Sequence, residues 1–162
     1  MRVELATIEE VKAFVFASSA QSATSDWLTI TQDMINRFAD VTLDHQWIHI
    51  DEARAKAESP FKHPLTGERT TVAHGFLTIS LLSHFMHQAV GMPAVKAGVN
   101  YGCDKLRFVS PVPAGSRVRG VVKLMKLEEV PGMLQLHWDV TLESEGSEKP
   151  AAIAQWITRI VP

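Results

Sequence analysis

"AHGFLTISLLSHFMHQAV", residues 73–90, sets the terms on which the rest of the chain must fold. Phe76, Leu77, Ile79, Leu81, Leu82, Phe85 and Met86 fall around the whole circumference of a helix rather than on one stripe, so this helix belongs in an interior. It needs a broad apolar cover, and the residues after it supply one. Beyond "GMP" the periodicity changes to two. In "LQLHWDVTLE", residues 134–143, Leu134, Leu136, Trp138, Val140 and Leu142 alternate with Gln135, His137, Asp139, Thr141 and Glu143, the pattern of a strand with one wet face. "VPGM" and "EGSEKP" are hairpin signals on either side, with "SRVRGVVKLMKL" upstream and "AAIAQWITRIV" downstream. The C-terminal half reads as an antiparallel meander, and the chain as an α+β fold whose sheet wraps the central apolar helix.

Upstream of that helix the signals are short and local. Thr7 and Glu10 have capping-box spacing before Ile8, Val11 and Ala13 to Val15, and "SSAQSATSD" ends the helix they predict. "WLTI" is a brief extended segment. Thr31 with Asp33 caps a second helix carrying Met34, Ile35, Phe38 and Ala39 on its apolar face. Asp51 caps a third, "EARAKAE", which Pro60 closes, and residues 59–73 are loop.

The 162 residues fit one domain, 1–162, long enough to bury a core without staples. Sixteen basic residues against 18 acidic ones leave a net charge of −2 with no basic run, which argues against nucleic acid or an anionic membrane as partner. Cys103 is alone, so no internal disulfide forms, and "MRVELATIEEVKAF" lacks the long apolar core of a signal peptide. No apolar run reaches the roughly 20 residues needed to cross a bilayer. The expectation is a cytoplasmic protein acting on a small ligand.

Chemistry-bearing residues concentrate in "TLDHQWIH", residues 42–49. His45 and His49 stand four apart, as in the zinc motif HExxH, but Gln46 replaces the glutamate and a turn separates the segment from the preceding helix. His84 and His87 form a second pair with no acid or cysteine near enough to complete a ligand set. The reading is therefore no metal. Cys103 lacks a local base and reads as core filler, while Ser80 and Ser83 lie in the apolar helix, where a hydroxyl bonds the carbonyl four residues back. Asp44 and His49 are the remaining pair able to share one water or substrate proton. The alternative is that Asp44 caps a turn and His49 is an ordinary half-buried histidine.

At this point the sequence resembles a known family, the MaoC-like dehydratases, which include R-specific enoyl-CoA hydratases and NodN-like proteins. The family pattern F-A-x-x-[ST]-x-D-x-N-P-x-H-x-D is similar to "FADVTLDHQWIHID" from Phe38 to Asp51, with Gln46 and Trp47 in place of Asn-Pro, a replacement associated with the NodN-like branch. "VAHGFLTISLLS", residues 72–83, looks like the family's AHG segment, and "VNYGCDKLRFVSPVPAGSRVRG", residues 99–120, resembles the branch's strand and turn. The resemblance implies a hot-dog fold working as a homodimer on acyl-CoA thioesters. By motif position, Asp44 and His49 match the catalytic dyad, with Asp44 as base and His49 as its proton partner. Gly75 matches the glycine whose N–H meets the thioester oxygen, and Ser83 the serine that orients the aspartate.

The function so implied is an R-specific 2-enoyl-CoA hydratase, reversibly dehydrating (3R)-hydroxyacyl-CoA without metal or organic cofactor. Asn100 and Gln46 are candidate substrate contacts, and Lys105, Arg107, Arg117 and Arg119 candidate partners for CoA phosphates. The segment between Phe61 and Val72 is an extra loop relative to the branch; its charged and turn-forming residues suit a solvated excursion, the alternatives being a cap on the acyl channel or a segment that repositions the partner subunit. Two rival readings are an acyl-CoA thioesterase and a non-catalytic acyl-thioester binding protein of the NodN-like type.

Overall fold

The computed structural model describes residues 2–17 and 22–162. Its elements are β1 (Val3–Glu4), α1 (Ile8–Ala17), β2 (Ala23–Thr24), β3 (Leu28–Thr29), α2 (Gln32–Thr42), α3 (Trp47–Ile50), α4 (Glu52–Glu58), α5 (Gly75–Ser80), α6 (Leu82–Ala89), β4 (Val90–Gly91), β5 (Ala97–Phe108), β6 (Arg117–Val130), β7 (Met133–Ser144) and β8 (Ala152–Val161). The end of the first helix in "SSAQSATSD" falls partly on residues 18–21, which lie outside the described residues.

The three predicted caps are present. Thr7 and Glu10 exchange hydrogen bonds at 3.1 and 3.2 Å, Thr31 Oγ1 accepts from Met34 N–H at 3.2 Å, and Asp51 Oδ1 from Arg54 N–H at 2.9 Å. Each satisfies an amide at a helix start that has no intrahelical partner. β6, β7 and β8 form the expected meander, with Leu142 between Gly120 and Ala152, and β7 alternates half-buried and buried residues along its length. β5 joins beyond β8 rather than beside its sequence neighbour β6, giving the order β2-β6-β7-β8-β5, with β3 also on β6. A parallel pairing of β1 with β4, Val3 opposite Val90, was not foreseen.

The expected single helix over 73–90 is two, α5 and α6, meeting at Leu81. Thr78 and Ser80 explain the break: their hydroxyls donate to the carbonyls of Gly75 and Phe76 at 2.6 and 2.7 Å, and such back-bonding bends helices. Burial is also uneven. Phe85 is fully enclosed, whereas Phe76, at the exposed start, is 65% accessible. Against α6 the sheet comes very close at Gly120, where a Cβ would fall 2.8 Å from Phe85 Cβ. The result is the hot-dog arrangement, an antiparallel sheet curved around a central helical segment.

The segment from Phe61 to Val72 is loop, as expected, and exposed over residues 65–69, but it is not free-standing. Lys62 pairs with Arg69, His63 N–H donates to Glu68 at 2.8 Å, and Arg69 reaches Ala57 O at 3.1 Å. Leu65 rests on the β7–β8 turn, where a Cβ on Gly146 would meet its Cδ2 at 2.5 Å. Among the described residues no helix is long and apolar enough to cross a membrane.

Candidate active site

Asp44 owes its position to the way α2 ends. Thr42 Oγ1 donates to Phe38 O at 2.7 Å in the last turn, and Leu43 then adopts the left-handed conformation at φ 62°, which reverses the chain and leaves the Asp44 carboxylate 56% exposed. The chain turns at once into α3, where His49 N–H donates to Gln46 O at 2.9 Å and the His49 side chain is only 7% exposed.

His49 is anchored by two neighbours. The segment 71–74 threads between α3 and the β5–β6 connection: Val72 N–H donates to Ile48 O at 3.0 Å, Ala73 N–H to Val112 O at 2.8 Å, and Ala114 N–H to Thr71 O at 2.9 Å. Val72 O then accepts from His49 Nδ1 at 2.6 Å. A carbonyl only accepts, so Nδ1 carries the proton and neutral His49 presents a bare Nε2. From below, Gln32 Nε2 donates to His49 O at 2.7 Å and to Asn36 Oδ1 at 2.8 Å, while its Oε1 accepts from Thr71 Oγ1. Gln32 thus ties the backbones of both segments together. Burial pushes the His49 pKa below its ordinary 6.5, and the neighbouring His74 lowers it further, against opposing effects of the Val72 bond and the Asp44 charge.

His74, which the sequence reading passed over, completes the cluster. Its ring stacks on His49 with centroids 3.7 Å apart and planes at 23°, packs against Phe38 at 5.1 Å, and is 4% exposed. Its Nε2 donates to Asp44 O at 3.0 Å and lies 3.9 Å from the Asp44 carboxylate. Side-chain atoms of Asp44, His49 and His74 lie within 4.8 Å of one another. That spacing alone would admit a metal ion, but the ring geometry does not suit one. A metal sits in the plane of each ligating imidazole at about 2.0–2.1 Å, and two planes stacked at 3.7 Å and tilted by 23° do not meet so near their edges. His45 turns away to Asp40 at 2.9 Å, and His84 and His87 are exposed on α6.

Gly75 follows His74 as the first residue of α5, so its amide has no partner within the helix. The space left by its missing side chain is occupied by Phe108 from the end of β5: a Cβ on Gly75 would meet that ring at 2.9 Å. Phe76 packs edge-on to the same ring at 5.5 Å. Together with Phe61, Val72, Val112 and Ala151 these residues line an apolar cavity of about 330 Å³ beside the Gly75 amide.

Other candidate positions separate from this centre. Ser83 exchanges a long hydrogen bond with Asn100, 3.4 Å from its amide nitrogen, between α6 and β5, and makes no hydrogen bond to Asp44 among the described residues; Gln46 contributes its backbone and exposes its side chain. Arg117 and Arg119 are spoken for, pairing with Glu145 and Glu143 and flanking Trp27. Arg107 donates to Leu106 O at 2.8 Å, and Lys105 sits at φ 50° in an irregular stretch of β5. Cys103 is exposed, not core filler, because β5 is the edge strand of the sheet.

Comparison with known proteins places these residues in a familiar frame. The MaoC like domain family matches residues 15–144. A 3-hydroxyacyl-thioester dehydratase Z of Mycobacterium tuberculosis is 46% identical over 156 residues, covering 96% of this chain and 98% of the relative. Nodulation protein N of Rhizobium leguminosarum bv. viciae is 46% identical over 140 residues, covering 84% and 81%. Among solved structures, an R-hydratase of Pseudomonas aeruginosa superposes with a TM-score of 0.65 at 21% identity, covering 87% of this chain and 80% of that one.

Proposed function

The chain belongs to the MaoC-like dehydratase family, and from that premise we propose that it is an R-specific 2-enoyl-CoA hydratase, adding water to a trans-2-enoyl thioester and reversibly dehydrating the (3R)-hydroxyacyl product. The observation that carries the reading is the convergence of the Asp44 carboxylate and the His49 imidazole on His74, the residue directly before Gly75, whose amide opens α5 without an intrahelical partner. The name of a 46% identical relative, a 3-hydroxyacyl-thioester dehydratase, describes dehydration of a 3-hydroxyacyl thioester, the reverse of such a hydration.

In this scheme one water lies between Asp44 and His49. Neutral His49 accepts one of its O–H bonds at Nε2 and so aims the oxygen at C3, while the Asp44 carboxylate takes the other proton as C3–O forms. Charge passes to the thioester oxygen, which accepts from the Gly75 N–H, and protonated Asp44 returns the proton to C2. Protons balance without an external acid, and the scheme uses no metal or organic cofactor. His49 orients the water by accepting, because its lowered pKa leaves it without a proton to give at neutral pH. The apolar cavity lined by Phe61, Phe76 and Phe108 sits where an acyl group would extend from that amide.

The working unit in this reading is a homodimer. On β5, Asn100 and Cys103 lie opposite the core-facing Thr158 and Trp156 yet are exposed at the sheet edge, beside α5 and α6. Between them lies an open cavity of about 350 Å³, lined by Ile79, Leu82, Tyr101 and Trp156. A second subunit pairing along β5 covers both the edge and this cavity.

The test follows the conjugated absorbance of crotonyl-CoA and of a longer enoyl-CoA with wild-type and Asp44→Asn protein. Loss of the band with wild type alone supports hydration through Asp44. Release of free CoA thiol would move the assignment to a thioesterase, and binding without turnover in either protein to an acyl-thioester binding protein.

A further inference from the structure

We propose that His74 is a positioning residue for the Asp44–His49 pair, clamping the Asp44 turn through its backbone carbonyl and fixing the plane of the His49 ring by stacking. The inference rests on the hydratase reading for its kinetic part, but its structural part stands apart from it.

Three observations carry it. First, the one side-chain hydrogen bond that His74 makes among the described residues, 3.0 Å, goes to the carbonyl of Asp44, in the turn between the end of α2 and the start of α3, where His45 adds a second tether to Asp40 at 2.9 Å. The left-handed Leu43 ahead of Asp44 is an unfavourable conformation for a β-carbon-bearing residue, so the turn needs such a tether to hold one shape. Second, the His49 ring makes one hydrogen bond among the described residues, to Val72 O, and the His74 face at 3.7 Å packs along its plane, with Phe38 5.1 Å from the His74 ring. Third, His74 Nδ1 is buried with no hydrogen-bond partner among the described residues. A histidine that leaves one ring nitrogen unsatisfied in an interior is a poor choice for filling space, where a leucine or phenylalanine would leave no such deficit. What the imidazole offers here is a flat face and one directed N–H.

His74 also joins its two tasks to Gly75, the next residue. The segment that supplies the oxyanion amide therefore holds both groups that handle the water, so their mutual distances are set by one short stretch of backbone. The titratable groups facing His49 are Asp44, from the α2–α3 turn, and His74 itself. Burial and, with it, the neighbouring His74 hold the His49 pKa below its ordinary value, and this keeps Nε2 an acceptor.

The experiment compares wild type, His74→Asn and His74→Phe as full-length protein. Asn keeps an N–H for the Asp44 carbonyl without a stacking ring, and Phe keeps the ring without the N–H. Melting temperature, kcat and KM for crotonyl-CoA, and an NMR titration of the His49 imidazole are read for each. We expect kcat to fall on the order of 100-fold in His74→Phe, as for a misplaced catalytic group, with KM little changed and with partial recovery in His74→Asn. The His49 titration midpoint should rise in both variants. Wild-type kcat together with an unshifted His49 titration in a folded variant would overturn the proposal, as would a kcat loss that merely follows the fraction unfolded. If the wild type turns over no enoyl-CoA, the hydratase reading fails, and the NMR spectrum of the His49 ring alone decides on His74: a single ring position in wild type and His74→Phe that becomes several or averaged in His74→Asn upholds its positioning role, and one unchanged position in all three proteins rejects it.

Discussion

His49 carries two consequences of being held neutral. The unfolded chain takes up a proton on this imidazole near the ordinary value of 6.5, while burial and His74 push the folded value lower, so between the two the unfolded state binds more protons. Stability from this group is full above pH 6.5 and is lost as pH falls from there through the folded value. Melting temperatures measured from pH 8 to 5 should therefore decline more steeply for wild type than for His49→Gln. Activity obeys the same titration, because protonation turns Nε2 from acceptor to donor and the water loses its orientation. The acid limb of kcat/KM belongs below 6.5, and a limb at or above that value contradicts the assignment. Replacing Asp44 by Asn removes the proton carrier itself and should lower kcat by about 10²–10⁴-fold. Gly75→Ala acts differently, since it keeps the amide. Its methyl group meets the Phe108 ring at 2.9 Å and forces that ring into the neighbouring cavity. Because Phe108 is half-exposed it can yield, so the variant should fold normally and lose about 1–3 kcal/mol of transition-state binding, read as kcat/KM on crotonyl-CoA.

At the scale of elements, the decisive distance is that between α6 and β6. Gly120 lets the helix approach until a Cβ would fall 2.8 Å from the Phe85 Cβ, which is the stem of a fully buried side chain and cannot swing aside. Gly120→Ala should therefore destabilise the fold by about 1–3 kcal/mol in urea unfolding, unlike Gly75→Ala. This contrast also marks where the sequence was legible. Caps and the period of two in β7 depend on neighbours a few residues apart, and the structure reproduces them. Asp44 and His49 are five residues apart, and the turn after α2 followed by α3 brings them into one cluster, a proximity that short spacing suggests. The break at Leu81 was missed although Thr78 and Ser80 were in view, since hydrophobic periodicity says nothing of hydroxyls competing for carbonyls. His74 was missed for a different reason: its role arises from stacking on a segment distant in sequence. Ser83 was assigned by motif position to the aspartate, and the structure puts it on Asn100 instead.

At the scale of the molecule, β5 is the feature that local pattern could not place. Cys103 was read as core filler because no base stands near it in sequence; strand order, which no short window encodes, puts it on an exposed edge. A long edge strand with unpaired backbone groups and exposed Val99 and Tyr101 invites pairing with another chain unless something blunts it. The register of β5 on β8 turns Cys103 toward the same side as Trp156, over the cavity that α5 and α6 leave open. A lysine there is harmless in a lone subunit, where the position faces water, and costly in a dimer that buries it without a partner. Wild type should sediment as a dimer, and Cys103→Lys should shift toward monomer with an unchanged circular dichroism spectrum. Turnover measured across protein concentration then separates two arrangements. If the variant regains activity as concentration rises, the site depends on the second subunit; if monomer and dimer turn over alike, Asp44, His49 and Gly75 suffice within one chain.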